Sequence, residues 1–349
     1  MKIAIIALTK NAIKVAERLC PELQADLYGM PAWLPAVAHP ELRIYSITQK
    51  FGELVGALFD SYQALVFIMA CGIVVRSIAP YLQNKCSDPA VVVVDEQGRF
   101  AISLAGGHLG GANQLARQIA FYLGGQAVIT TATDLNRVVA LEMFAQANDC
   151  IVENDTDLKY ISAALVNGER VAFFTDCRLE KALSPPLWPG RPDKSEKYAV
   201  VLSNSTAWQL QAERTLLIRP QNLIVGLGCK KGTSAGLIAE SLADLMAKNH
   251  KSWRSLKALA SLDLKASEPG IIAFCQAQNL PFVTVAPEAI HKVEGDLTFS
   301  PFVQKTVGVG GVAEPCALLG GVKTRLICPK TVYPGLTLAL AEEEKVFCL

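Results

Sequence analysis

Four glycines crowd one histidine in Gly106-Gly107-His108-Leu109-Gly110-Gly111-Ala112-Asn113. An imidazole titrates near neutral pH and can take a proton from water. Glycines let a backbone approach a ligand closely. A helix starting there would add N–H groups and partial positive charge, which suit a carboxylate or an oxyanion. The combination points to His108 as a general base, with backbone donors from Gly106 to Asn113. The bland alternative is that the glycines allow tight strand–helix packing and His108 only packs or caps. The spacing is not G-x-G-x-x-G, and no acid sits at the ribose-binding offset, so a dinucleotide site has little support.

Further segments share the grammar of a strand, a turn and a helix. Cys71-Gly72-Ile-Val-Val-Arg76 follows an apolar run, placing Arg76 near a strand's C-terminal end, where open α/β sheets hold ligands. Arg76 and the later Lys85 could clamp carboxylates, or Arg76 could pair with a structural acid while Lys85 is solvated. Thr130-Thr131-Ala132-Thr133-Asp134 offers hydroxyls at a strand-to-helix junction, although Asp134 could simply cap its helix. In the C-terminal third, Gly226-Leu-Gly228-Cys-Lys-Lys-Gly232-Thr233-Ser234 lacks a Walker A ending, so phosphate binding is unsupported. Gly308-Val-Gly310-Gly311-Val-Ala-Glu314 carries an acid that could be a base or could rest on a helix dipole. Lys265 and Glu268 could reach the same cleft or form an ordinary loop ion pair.

The elements that must hold these residues alternate. Strands are expected at 2–8, 64–69, 91–94, 100–104 and 127–129, the third and fourth pairing across the turn at Asp95 to Arg99. Helices are expected at 11–19, along the stripe Ala112, Leu115, Ala116, Ile119, Ala120, Leu123, and from Asp134 to about Ala147. This makes residues 1–148 a three-layer α/β domain with a mostly parallel sheet. Residues 149–218 form a small middle α/β module, with strands at 171–175 and 198–203 around a proline-rich loop. Residues 219–349 form a second α/β domain: strand 222–226, helix 235–248, strands 282–285 and 306–309, helix 313–319, strand 325–328.

The 349 residues are 51% hydrophobic and 19% charged, which suits packed cores and argues against disorder. Thirty-three basic against 32 acidic residues give a net charge of +1, so neither nucleic acid nor an anionic membrane is an expected partner. The apolar run 3–8 is too short for a secretory signal, and the run 64–75 is too short to span a bilayer. Ten scattered cysteines without a C-x-x-C pair read as reduced thiols of a cytoplasmic protein, with no metal site.

Taken together, these segments resemble the cobalt-precorrin-5A hydrolase family of anaerobic cobalamin biosynthesis. The resemblance rests on Gly72 to Arg76 through Lys85, Asp88 to Glu96 with Gly98, Gly107 to Asn113, Thr130 to Asp134, Val225 to Ser234, Asp263 through Gly270, and Val307 to Pro315. It covers residues 1 to about 150 and 220–349. A module similar to the C-terminal one also occurs as a free-standing protein of the aerobic pathway. The resemblance implies hydrolysis of a δ-lactone on a cobalt-bound macrocycle, with release of acetaldehyde to give cobalt-precorrin-5B. It implies catalytic roles for His108 and Glu314. It implies substrate contacts from Arg76, Lys85, Asp88, Gly106, Gly107, Gly110, Gly111, Asn113, Thr131, Thr133, Asp134, Gly228, Thr233, Ser234, Glu268 and Gly310. No cofactor is implied, because cobalt arrives with the substrate. The C-terminal domain would hold or close over the macrocycle. A homodimer and contacts with neighbouring pathway enzymes stay open, as does a non-catalytic carrier of corrinoid intermediates. A tetrapyrrole methyltransferase or a nucleotide-dependent enzyme is opposed by the missing nucleotide motifs. Gly106 stands where many relatives carry Ser; if that hydroxyl takes part in chemistry, Ser103 is the candidate here.

Overall fold

The computed structural model describes residues 1–34, 43–84, 87–108, 110–136, 138–191, 193–293 and 297–349. They divide into two compact units, Met1–Val138 and Val139–Leu349.

The first unit contains β1 (Ile3–Ala7), α1 (Lys10–Leu23), β2 (Asp26–Gly29), β3 (Ile44–Ser46), α2 (Phe51–Ser61), β4 (Ala64–Ile68), α3 (Cys71–Ile78), β5 (Ala90–Val94), β6 (Phe100–Ala105), α4 (Ala112–Leu123), β7 (Gln126–Val128) and α5 (Ala132–Asn136). The strands lie in the order β3-β2-β1-β4-β5-β6-β7. Every residue of β1, β4 and β5 is buried, which is why these strands are apolar without alternation. Ile5, Val66 and Val92 face α1 and α4; Ile6, Phe67 and Val93 face α2 and α3. Thr9 starts α1 by accepting the Ala12 N–H at 3.2 Å.

Strands β1 to β5 run parallel, β6 pairs antiparallel with β5 as the hairpin expectation had it, and β7 runs parallel to β6. The reversal has a consequence for function. The C-terminal ends of β6 and β7 open on the edge where β1, β4 and β5 begin. The turn after β6 accordingly packs at the start of β5, with Gly106 against the Pro89 carbonyl and Ala90.

The expected helix from Asp134 to Ala147 is two helices instead. Asp134 sits inside short α5, and the next helix, α6 (Leu141–Ala147), belongs to the second unit, where it packs on β8 (Cys150–Val152). Asp134 does not cap because it lies within α5, two residues after its start, and its carboxylate instead takes donors from Asn113, Arg117 and Thr131.

The second unit continues with α7 (Asp155–Val166), β9 (Val171–Thr175), β10 (Arg178–Leu179), β11 (Leu187–Pro189), β12 (Glu196–Leu202) and β13 (Ala212–Pro220). Of these, β9, β11, β12 and β13 join β8 in a sheet ordered β11-β9-β12-β13-β8, in which only β8 is antiparallel to its neighbour. Then come β14 (Leu223–Cys229), α8 (Ala235–Lys248), β15 (Leu256–Leu262), α9 (Pro269–Gln278), β16 (Phe282–Val285), α10 (Pro287–Ile290), α11 (Pro301–Val307), α12 (Ala313–Leu319), β17 (Thr324–Tyr333), β18 (Leu336–Glu343) and β19 (Val346–Phe347). Their sheet is ordered β16-β15-β14-β18-β17, with β14, β15 and β16 parallel. The strand expected at 306–309 is the end of α11: Pro301 opens that helix and Gly308, at φ +83°, closes it.

The two five-stranded sheets of this unit are tied together by a third, two-stranded one and by side chains. Strand β10 pairs with β19 near the C-terminus. Asn204 donates to Asn222 at 3.1 Å and to Glu342 at 2.5 Å. Within the first of these sheets, buried Arg219 of β13 donates to Glu153 at 2.6 Å and to the carbonyls of Ser203 and Ser205 at 3.0 and 2.7 Å. A buried guanidinium needs that many acceptors to offset its lost hydration.

No described helix is long and apolar enough to cross a membrane. Every described cysteine is a free thiol. Burial pushes those of Cys20, Cys150, Cys177 and Cys316 up to about 12, so they stay protonated and poorly nucleophilic at neutral pH.

Candidate active site

The turns after β6 and β7 meet. His108 Nε2 lies 2.6 Å from Thr133 Oγ1 and 3.5 Å from Asp134 Oδ2. Asn113, in the first turn of α4, donates Nδ2 to Thr131 Oγ1 at 3.0 Å and to Asp134 Oδ2 at 2.8 Å. Thr131 donates to the same carboxylate oxygen at 2.7 Å, and Arg117 donates to the other at 2.6 Å. Burial pushes the Asp134 carboxyl up, but the hydrogen bonds from Arg117 and Thr131 and the nearby positive charge outweigh it and hold it below the usual carboxylate range. The network is therefore ionised at neutral pH and is lost only as the pH falls through that depressed value.

His108 keeps 22% of its side chain exposed and Asp134 16%, so both are largely covered and each keeps a small part at the surface. This is the arrangement of a base held by a carboxylate and a hydroxyl. The backbone donors expected from the glycine turn are partly spent. The N–H groups of Gly111, Ala112 and Asn113 bond to the carbonyls of His108, Gly106 and Gly107.

Gly106 is fixed by geometry. Its φ is +65°, and a Cβ there would come 2.9 Å from the Pro89 carbonyl oxygen. A serine at this position would strain the backbone and displace the turn. The Gly106→Ser variant is expected to lose about 1–3 kcal/mol of stability, read as a fall in the first unit's unfolding midpoint. An unchanged midpoint would mean that the turn tolerates the hydroxyl. Ser103 does not replace it in the network: it lies within β6, paired with Val92.

The other expected residues fall elsewhere. The Arg76 guanidinium folds back over Gly72 at the start of α3, on the sheet edge opposite His108. Lys85 lies outside the described residues. Asp88 accepts the N–H groups of Gln83 and Asn84, stabilising its own loop. Asn113 is buried, so it is an internal brace and not an open contact.

In the C-terminal part of the second unit, the glycine loops do gather at one edge, beyond the C-terminal ends of β14 and β15. Glu268 accepts the Gly232 N–H at 2.6 Å and the Lys265 ammonium at 3.3 Å. The Gly232 bond comes first among the causes that hold its carboxyl below the usual range. Thr233 donates to the Lys230 carbonyl, Ser234 caps α8 through the Leu237 N–H, and Thr337 donates to the Gly228 carbonyl. The Gly310 carbonyl accepts the Ser300 N–H. Glu314, only 3% exposed, accepts the Thr298 N–H and hydroxyl and the Lys330 N–H. Burial pushes its carboxyl up, and these donors outweigh burial, leaving it below the usual range. So disposed, Glu314 ties the Thr298 loop and strand β17 to α12; it has little capacity left to move a proton.

Sequence reasoning missed Arg117, although it stands four residues after Asn113 on the same helix face. It also missed Lys2 and Arg43, which with Asp26 line a hollow of about 520 Å³ where β1 and β2 begin, the edge that His108 shares. Among the described residues, no group of three or more His, Cys, Asp or Glu side chains is placed to hold a metal ion.

Three family models match the chain in order: cobalamin synthesis G N-terminal over residues 53–134, cobalamin biosynthesis central region over 139–220, and cobalamin synthesis G C-terminus over 223–341. The middle, least legible in sequence, is thus part of the same architecture. The chain is 36% identical over 330 residues to the cobalt-precorrin-5A hydrolase of Salmonella typhimurium, covering 91% of each chain. It is 29% identical to that of Priestia megaterium over 97% of this chain and 94% of the other. Protein CobE of a Sinorhizobium species is 34% identical over 122 residues, 34% of this chain and 79% of its own. At that identity and coverage, this chain belongs to the cobalt-precorrin-5A hydrolase family.

Proposed function

We propose that this protein hydrolyses the δ-lactone of cobalt-precorrin-5A and releases acetaldehyde, giving cobalt-precorrin-5B. The observation that carries the proposal is the match along 91% of both chains to a relative named for that reaction. The His108 turn supports it chemically. Water, deprotonated by His108, adds to the lactone carbonyl, and the ring C–O bond breaks to leave a new carboxylate and an alcohol. Loss of the alcohol proton turns its oxygen into the aldehyde oxygen. The adjacent carbon–carbon bond breaks in the retro-aldol sense, and its electron pair returns to the macrocycle. The cobalt is part of the substrate. The chain's own residues supply the base and its support.

Anaerobic reaction in ¹⁸O-labelled water tests this. One ¹⁸O in the new macrocycle carboxylate is expected, with the two-carbon unit lost. A macrocycle that binds tightly but keeps its mass would place the chain among corrinoid carriers instead.

A further inference from the structure

The hydrogen-bond directions around Asp134 fix more than the network. Thr131 donates to Asp134 Oδ2, so its oxygen must accept from Asn113 Nδ2. Turning the Asn113 amide over would set its oxygen against the carboxylate. Its Oδ1 therefore points the other way and stays buried with no partner among the described residues. Arg117 holds the other carboxylate oxygen. The result is an anion, fixed on both sides, 3.5 Å from His108 Nε2. An unprotonated Nε2 would face its lone pair toward that anion. A protonated Nε2 gives its hydrogen to Thr133 Oγ1, 2.6 Å away, and is favoured by the carboxylate behind it.

We propose that Asp134 is a positioning residue. With the Thr133 hydroxyl it holds the His108 imidazole as the Nε2–H tautomer, so that Nδ1 carries the lone pair that takes the proton from water. Only the last clause rests on the hydrolase reading; the tautomer is a property of the free protein.

The test uses the full chain labelled with ¹⁵N-histidine, one of whose four histidines is His108. Its ring signals are assigned by their absence in His108→Ala. At alkaline pH, the wild type is expected to show a protonated Nε2 and an unprotonated Nδ1. Asp134→Asn and Thr133→Val are each expected to shift His108 toward the Nδ1–H form. Both should lower kcat by roughly 10–100-fold with KM changed less than about threefold, as orienting partners do elsewhere. If Asp134→Asn does not fold, Thr133→Val carries the test, since it removes one hydroxyl at constant shape. A wild-type Nδ1–H tautomer, or variants that keep the wild-type tautomer or the wild-type kcat, would overturn the proposal. The expected tautomers in a protein that does not attack the lactone would leave the positioning intact and remove the hydrolase reading.

Discussion

Replacing His108 by alanine is expected to lower turnover of cobalt-precorrin-5A by about 10²–10⁴-fold, the usual contribution of a positioned general base. The substrate's KM should change little, because the imidazole is one small contact on a large ligand. Two features make the effect large and specific. The ring is anchored at Nε2 by Thr133 and Asp134, so nothing else occupies its place when it is removed. Removing it leaves Asp134 satisfied by Arg117, Asn113 and Thr131, so the turn should keep its shape. Steady-state kinetics under anaerobic conditions give the answer. Unchanged kcat would remove His108 from the chemistry, and a raised KM with normal kcat would make it a binding group.

The second large effect is on stability. Gly226→Ala should cost the second unit about 3 kcal/mol or more, toward the upper end for over-packing. Gly226 lies in buried β14, where α12 crosses the strand. A Cβ there would overlap the Ala313 carbonyl oxygen and come 2.6 Å from the Ala317 nitrogen. Both are backbone atoms of a helix, so neither can rotate away. Gly228, two residues on, is the internal comparison. Its Cβ would meet the Thr337 hydroxyl at 2.7 Å, a side-chain atom that can turn away at the loss of its 3.3 Å hydrogen bond to the Gly228 carbonyl. Trp188, Trp208 and Trp253 all lie in this unit, so denaturant titration followed by tryptophan fluorescence compares the two variants. Equal stabilities would contradict this packing account.

The sequence was most legible where burial is most complete. Ile3–Ala7, Ala64–Ile68 and Ala90–Val94 announce themselves because a sheet covered on both faces needs no polar alternation. Short, partly exposed strands such as Ile44–Ser46 and Cys150–Val152 carry no such signal. Helix α9 was hidden by Glu268-Pro269-Gly270, which reads as a loop, although proline at a first helical position is favourable. At the site, the histidine turn and the Thr130–Asp134 turn were both visible as segments. Their meeting was not, because the hairpin expectation reverses β6 but says nothing of β7, which runs beside it in parallel. The same reversal separates Arg76 from His108: a rule about C-terminal strand ends holds for each strand, but the two strands point opposite ways. Glu314 reads in the sequence as a base or as an acid resting on a helix dipole, because sequence cannot show that Thr298 and Lys330 return to it from both sides.

The most direct test of the account is anaerobic incubation of the pure protein with cobalt-precorrin-5A, followed by mass spectrometry of the macrocycle and trapping of acetaldehyde. Loss of the two-carbon unit is expected, matched by acetaldehyde mole for mole, with both signals suppressed together in His108→Ala. A macrocycle recovered unchanged from wild-type protein that binds it, with no acetaldehyde, would contradict it.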